Sequence, residues 1–166
     1  MKKAITILII GILLTLSWGG IRAYKGWEFT VGCGGHLKRA ANANTIDLAT
    51  IEMQTAVKYA EQKGLTTGYT SVFYRTPDEE VDFWYQNIKS AHEELKAVSK
   101  DATQLEKSNV LMKLRETLVD QGEKSSSVTM PDGISVYPNN LLYFIWGWLG
   151  LILFSSALLY LRCKEL

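Results

Sequence analysis

The residues of this chain with the most chemical potential are two histidines, two cysteines and one tight group of acids. His36 and His92 stand far apart, and a zinc site asks for three or four ligands at close local spacing. No cluster of His, Cys, Asp and Glu meets that demand, so no metal is expected. His36, close to Lys38 and Arg39, suits lipid headgroups, and His92 before Glu93-Glu94 reads as a solvated helix residue. Asp78, Glu79, Glu80 and Asp82 lack the alternating ligands and the glycine of a calcium loop. Acids gathered at a helix start account for them through the helix dipole. No serine or cysteine carries a recognisable base and motif, so no catalytic residue, no cofactor and no enzymatic activity are expected.

Gly32-Cys33-Gly34-Gly35 precedes Lys38-Arg39 without the spacing or the Ser/Thr of a phosphate loop. Eighteen basic residues against 17 acidic ones, intermixed along the chain, leave no basic face for nucleic acid. Cys33 and Cys163 fall on opposite sides of the membrane proposed below and so cannot pair within one chain. Cys33, facing an oxidising compartment, is the candidate for an intermolecular disulfide, weighed against a buried or mixed-disulfide thiol. Cys163 lies between Arg162 and Lys164, where acylation adds little to a spanning helix. Phe83, Trp84 and Tyr85 are adjacent on a predicted helix and cannot all face one core, so they are the candidate partner-binding residues, with core packing the competing role.

These residues must be positioned by a chain of unusual layout. Mean hydropathy is near zero over 166 residues, yet Ala4 to Ile21 is 18 residues without a charge and Leu141 to Leu161 is 21. As helices the blocks are about 27 Å and 31 Å long, which matches a bilayer hydrocarbon core of about 30 Å. Tyr143, Phe144, Trp146 and Trp148 at one end of the second block, and Tyr160, Arg162 and Lys164 at the other, form an aromatic belt with a basic stop. The first block also has the shape of a secretory signal. A cut after Ala23 places Ile21 where the peptidase wants a small residue, so a retained anchor is preferred over a cleaved segment 1–23.

Two spans place both termini on one side. Lys2, Lys3, Arg162 and Lys164 make that side cytoplasmic, although Arg22 and Lys25 weaken the signal of the first span. Residues 22–140 are then extracytoplasmic, and a bacterial inner membrane is the expected location. Gly11, Thr15 and Gly19 recur every four residues on the first span, and Gly147 and Gly150 give the second a looser small face; both suit close helix packing, of the two spans with each other or of copies of the protein.

In the middle, Arg22 to Gly35 reads as an irregular stretch along the headgroups. A helix is expected from about His36 to Lys63, with Ala41, Asn44, Leu48, Ile51, Thr55 and Lys58 as its stripe and Gly64-Leu65 as its stop. Gly68 to Tyr74 suits an extended segment. Thr76-Pro77-Asp78-Glu79 has the form of a capping box, starting a helix at Pro77. Val81, Trp84, Ile88, Ala91, Leu95, Val98, Ala102 and Leu105 form a coiled-coil-like stripe. Its register slips before Leu111, so 77–122 is one bent helix or two, ending near Gly122. Ser126 to Met130, Pro131-Asp132-Gly133 and Ile134 to Val136 form a candidate short β-hairpin.

The expected fold is mainly α: a tail and span over 1–21, a small extracytoplasmic helical hairpin or bundle over 22–140, and a second span with a short tail over 141–166. The order of span, helices and span resembles the sensing half of transmembrane chemoreceptors, with only five residues after Leu161 and hence no signalling domain expected. That resemblance is architectural and carries no residues across. The function expected is that of a non-enzymatic accessory, assembly or scaffold subunit, or a homo-oligomer. Its partners would be the lipid bilayer and another membrane protein or itself. The alternative is an extracytoplasmic ligand-sensing module, with the Phe83–Tyr85 aromatics lining its pocket, that acts through a separate signalling partner. A pore is poorly supplied, because neither block carries a charge.

Overall fold

The computed structural model describes residues 2–121 and 126–165, which are mainly helical with one strand pair. In chain order the elements are α1 (Lys2–Phe29), a π-helical turn (Thr30–Gly34), α2 (Gly35–Ala41), α3 (Ile46–Gln62), a 3-10 turn (Pro77–Glu79), α4 (Val81–Ala97) and α5 (Gln104–Leu118). There follow β1 (Val119–Gln121), β2 (Ser126–Val128), a 3-10 turn (Ile134–Val136) and α6 (Asn140–Glu165). The chain divides into two compact units, Met1–Gly26 with Ser135–Leu166, and Trp27–Ile134.

The first unit contains the two uncharged blocks, each on a helix long and apolar enough to cross a membrane. Their backbones come close where side chains are small. A Cβ at Gly11 would lie 2.6 Å from the backbone nitrogen of Phe154, one at Gly150 would lie 2.8 Å from Thr15 Oγ1, and one at Gly147 would lie 2.8 Å from the Trp18 ring. The Trp18 indole donates to the Tyr143 carbonyl at 2.7 Å. Position 19 is different: nothing lies within 4 Å of a Cβ placed there. The approach of α1 to α6 therefore runs through Gly11, Thr15 and Trp18, and Gly19, expected on that face, is not part of it.

In the second unit α3 packs on α2 and α4, and α5 packs on α2 and α4. The core is made by Cys33 and Leu37, by Ala49, Met53, Ala56 and Ala60 of α3, by Val81, Trp84, Ile88 and Leu95 of α4, and by Leu114 and Leu118 of α5. Each large apolar side chain buried there contributes about 1.5–3 kcal/mol relative to exposure. The alanines contribute little area but let α3 come close to its neighbours.

Several local expectations change. Arg22 to Gly35 is helical rather than irregular: the helical backbone continues from α1 through the π turn, in which the Gly35 N–H reaches Thr30. The predicted His36–Lys63 helix is two helices, separated at Asn42–Thr45, with Thr45 capping α3 by accepting from Leu48 N–H. Its buried face is also not the predicted one. Ala49, Glu52, Met53, Ala56 and Ala60 face inward, whereas Leu48 and Ile51 of the predicted stripe are exposed. Gly64 and Leu65 do end α3 as a Schellman motif: Gly64 has φ +69, Leu65 N–H donates to Ala60 carbonyl at 2.8 Å, and Leu65 is buried.

Thr76 to Glu79 forms a 3-10 turn, with the Thr76 hydroxyl bonded to the Glu79 carboxylate and no side-chain cap on the backbone. The α-helix starts at Val81, where the isolated bridge of Tyr69 with Glu80 has already fixed the chain. The true capping box is Thr103 with Glu106: the carboxylate accepts from Thr103 N–H at 2.7 Å and the hydroxyl from Glu106 N–H at 3.3 Å. It starts a separate helix, so the described residues 77–121 hold two α-helices, and the coiled-coil stripe stops near Leu95, with Leu105 exposed.

The strand pair is also displaced from the expected hairpin. β2 pairs antiparallel with β1, Val128 opposite Val119, rather than with Ile134 to Val136, which forms a 3-10 turn. Pro131-Asp132-Gly133 still reverses the chain, with Gly133 at φ +74. Gly122, the expected terminator, lies outside the described residues, and α5 already ends at Leu118.

Candidate functional site

The aromatic triplet lies near the start of α4, and the helix separates its three members. Val81, Trp84 and Ile88 recur at spacings of three and four and turn inward, Tyr85 follows them, and Phe83 falls on the other side. Trp84 and Tyr85 are buried, at 5% and 7% exposure, whereas Phe83 is 62% exposed. Only Phe83 of the three candidate partner-binding residues is therefore presented to a partner. The Tyr85 hydroxyl donates to Glu61 on α3 at 2.8 Å. Burial first, then the bond to Glu61 and its charge, push the phenol above its ordinary range, so it remains a neutral donor.

Beside this helix lies a cavity of about 460 Å³. Trp84, Ile88 and Leu118 are its buried lining, and Phe83 and Met130 are its exposed apolar lining. Pro77 and Pro131 stiffen the chain at its edge, and Asp78 and Glu80 add carboxylates. Asn87, Thr117 and Thr129 supply neutral polar groups, and no Lys, Arg or His lines it among the described residues. The Trp84 indole nitrogen is buried without a hydrogen-bond partner. A buried N–H left unpaired costs about 1–3 kcal/mol, a cost that an acceptor able to reach it would relieve.

A second polar group joins α2 to α3. Glu52 is buried at 8% exposure, and its carboxylate meets His36 Nδ1 at 2.6 Å and Arg39 at 2.5 Å. Both carboxylate oxygens are thus matched to donors one helical turn apart on α2. His36, expected among headgroups, instead forms part of this clamp. The arrangement has no nucleophile: Cys33, three residues before His36, directs its thiol to the Ala56 carbonyl at 3.8 Å.

Cys33 is wholly buried, and burial raises its thiol to about 12, so it is almost entirely protonated at neutral pH. An intermolecular disulfide through Cys33 requires the α2/α3 packing to open first. Cys163 is exposed and free. His92 is buried rather than solvated, its Nε2 has no partner, and burial, reinforced by Lys96, lowers its basicity against the smaller opposing pull of Glu93 and Glu61. Among the described residues no three metal-ligating side chains come together.

No sequence signal pointed to the Glu52 clamp, because its members are brought together from separate helices. The cavity was foreshadowed only by its aromatics: Leu118 ends α5, and Thr129 and Met130 follow β2, which pairs with β1 rather than in the expected hairpin. Set against known proteins, the chain matches no family model, and no curated protein or solved structure shows a detectable likeness to it.

Proposed function

We propose that this chain is a non-enzymatic, two-span integral membrane protein whose residues 22–140 form an extracytoplasmic helical module that binds a partner. It would act as an accessory, assembly or scaffold subunit, or as a homo-oligomer. The membrane reading is supported by the outer surfaces of α1 and α6, where Ile9, Leu13, Leu16, Leu142, Ile152 and Leu159 are all exposed. Apolar surface on that scale is unfavourable in water and favourable against lipid. Lys2, Lys3, Arg162 and Lys164 favour cytoplasmic termini, with a bacterial inner membrane as the location.

The observation that carries the partner-binding reading is the exposure of large apolar side chains on the small second unit. Leu48 and Ile51 lie one turn apart on the outer side of α3, and Phe83, Leu105 and Met112 are exposed on α4 and α5. Crosslinking in native membranes, followed by extraction in mild detergent and mass determination, tests it. A defined complex or oligomer is expected, and a strictly monomeric species with no crosslinked protein overturns the reading.

A second reading, an extracytoplasmic ligand-sensing module acting through a separate signalling partner, is favoured by the cavity beside Phe83 and Trp84. Thermal-shift measurements on the full chain in detergent test it: a compound that stabilises wild type but not a variant altered in the cavity supports ligand binding.

A further inference from the structure

We propose that the cavity beside α4 binds an organic ammonium ion with an apolar body and one neutral oxygen acceptor. The proposal rests on the ligand-binding reading of that cavity and adds the chemistry of the ligand.

Three features converge on this class. The first is charge. Asp78 and Glu80 line the cavity, no basic residue does so among the described residues, and neither carboxylate takes part in a salt bridge there. An anion entering would meet repulsion with no compensating cation, whereas an ammonium ion meets two carboxylates. The second is the pair of aromatic side chains. Phe83 and Trp84 offer ring surface to a cation, an attraction of about 0.5–1 kcal/mol at exposed sites and about 2 when desolvated, with tryptophan the strongest ring. The apolar remainder of the ligand would cover Ile88, Leu118 and Met130. The third is the Trp84 indole. It is a donor only, it is buried, and it has no partner. A ligand carrying only an ammonium group leaves this donor unpaired, so the ligand should also present an acceptor oxygen.

The volume of about 460 Å³ falls in the ordinary range for small-molecule sites. A monomeric amine derivative fits within it. Selectivity would come from combining carboxylates that reject anions with an indole N–H that favours a ligand carrying an acceptor over a simple amine.

Four probes test this on the full-length protein in detergent by titration calorimetry: phenylalaninamide, which has an ammonium and a carbonyl; phenylethylamine, which lacks the carbonyl; N-acetylphenylalaninamide, which is neutral; and 3-phenylpropanoate, an anion. Phenylalaninamide should bind saturably, about tenfold tighter than either the neutral or the acceptor-free probe. The anion should not bind. The near-isosteric pair Asp78→Asn and Glu80→Gln should erase the preference for the cation over the neutral probe. Trp84→Phe should erase the preference for phenylalaninamide over phenylethylamine. Far-UV circular dichroism and melting curves confirm that both variants fold, and retained selectivity in a folded variant overturns the role given to that group. Equal binding of neutral and cationic probes, or preferred binding of the anion, overturns the proposed ligand class while leaving the ligand-binding reading standing. If none of the four probes binds, the proposed ligand class fails, and the ligand-binding reading stands or falls by the thermal-shift measurements.

Discussion

Gly32 lies against the ring of Tyr59: a Cβ at position 32 would overlap Tyr59 Cε2. The contact explains why a glycine occurs within helical backbone. Gly32→Ala gains about 1 kcal/mol of helix propensity but forces the Tyr59 ring to move from its edge contact with Phe29, at 6.0 Å between centroids. Overpacking of this kind costs about 1–3 kcal/mol. The variant should therefore be less stable than wild type in chemical denaturation, and a variant equal to or more stable than wild type would show that the ring yields freely.

The two apolar helices offer a matched pair of substitutions. Gly11→Val places a branched side chain where even a Cβ meets the backbone of Phe154, whereas at Gly19 the same position is open. Loss of close helix packing should lower the stability of the Gly11 variant in detergent by about 1–3 kcal/mol, with Gly19→Val changing it far less. Equal effects at the two positions would contradict an α1–α6 approach through Gly11.

Thiol chemistry distinguishes the two cysteines. With its thiol raised to about 12 and fully buried, Cys33 has about one ionised molecule in ten thousand at pH 8 and no path for a reagent. Maleimide labelling of the native protein should modify exposed Cys163 promptly and Cys33 only after denaturation. Mass spectrometry of the labelled peptides reads this directly. Prompt labelling at Cys33, or a Cys33-linked dimer formed without prior unfolding, would show that the α2/α3 packing opens readily.

Acid should weaken the second unit through His92. Its folded-state basicity is lowered from the ordinary value of 6.5, chiefly by burial. The unfolded chain therefore takes up the proton first as pH falls. Stability from this residue is complete above about pH 6.5 and declines as pH falls below it, until the folded-state value is passed. His92→Gln should flatten that acid limb in melting curves recorded from pH 7.5 to 5. An unchanged slope would assign the acid sensitivity to other groups.

Much of the architecture can be read without a structure, and the physical reasons are local. Two uncharged runs of bilayer length need only composition to be recognised, and they coincide with the two long apolar helices. Gly64-Leu65 and Pro131-Asp132-Gly133 act through their own backbone conformations, so the stop of α3 and the reversal before residue 134 follow from a few adjacent residues. The Thr103–Glu106 box is equally local, but the heptad stripe running across it predicts a helix that continues to Leu105.

Other features depended on which surfaces meet. α3 carries one stripe with Leu48 and Ile51 and another built of alanines with Met53, and larger side chains made the first look like the core. Close packing chose the alanine face, because small residues let α3 approach α2 and α4, and Glu52 could be buried there only because His36 and Arg39 arrived from α2. The division of Phe83 from Trp84 and Tyr85 likewise follows from where α3 and α5 lie against α4. Residue type and spacing determine what each segment prefers; the packing of segments distant in the chain determines which preference is met, because burial free energy is gained only where two surfaces come together.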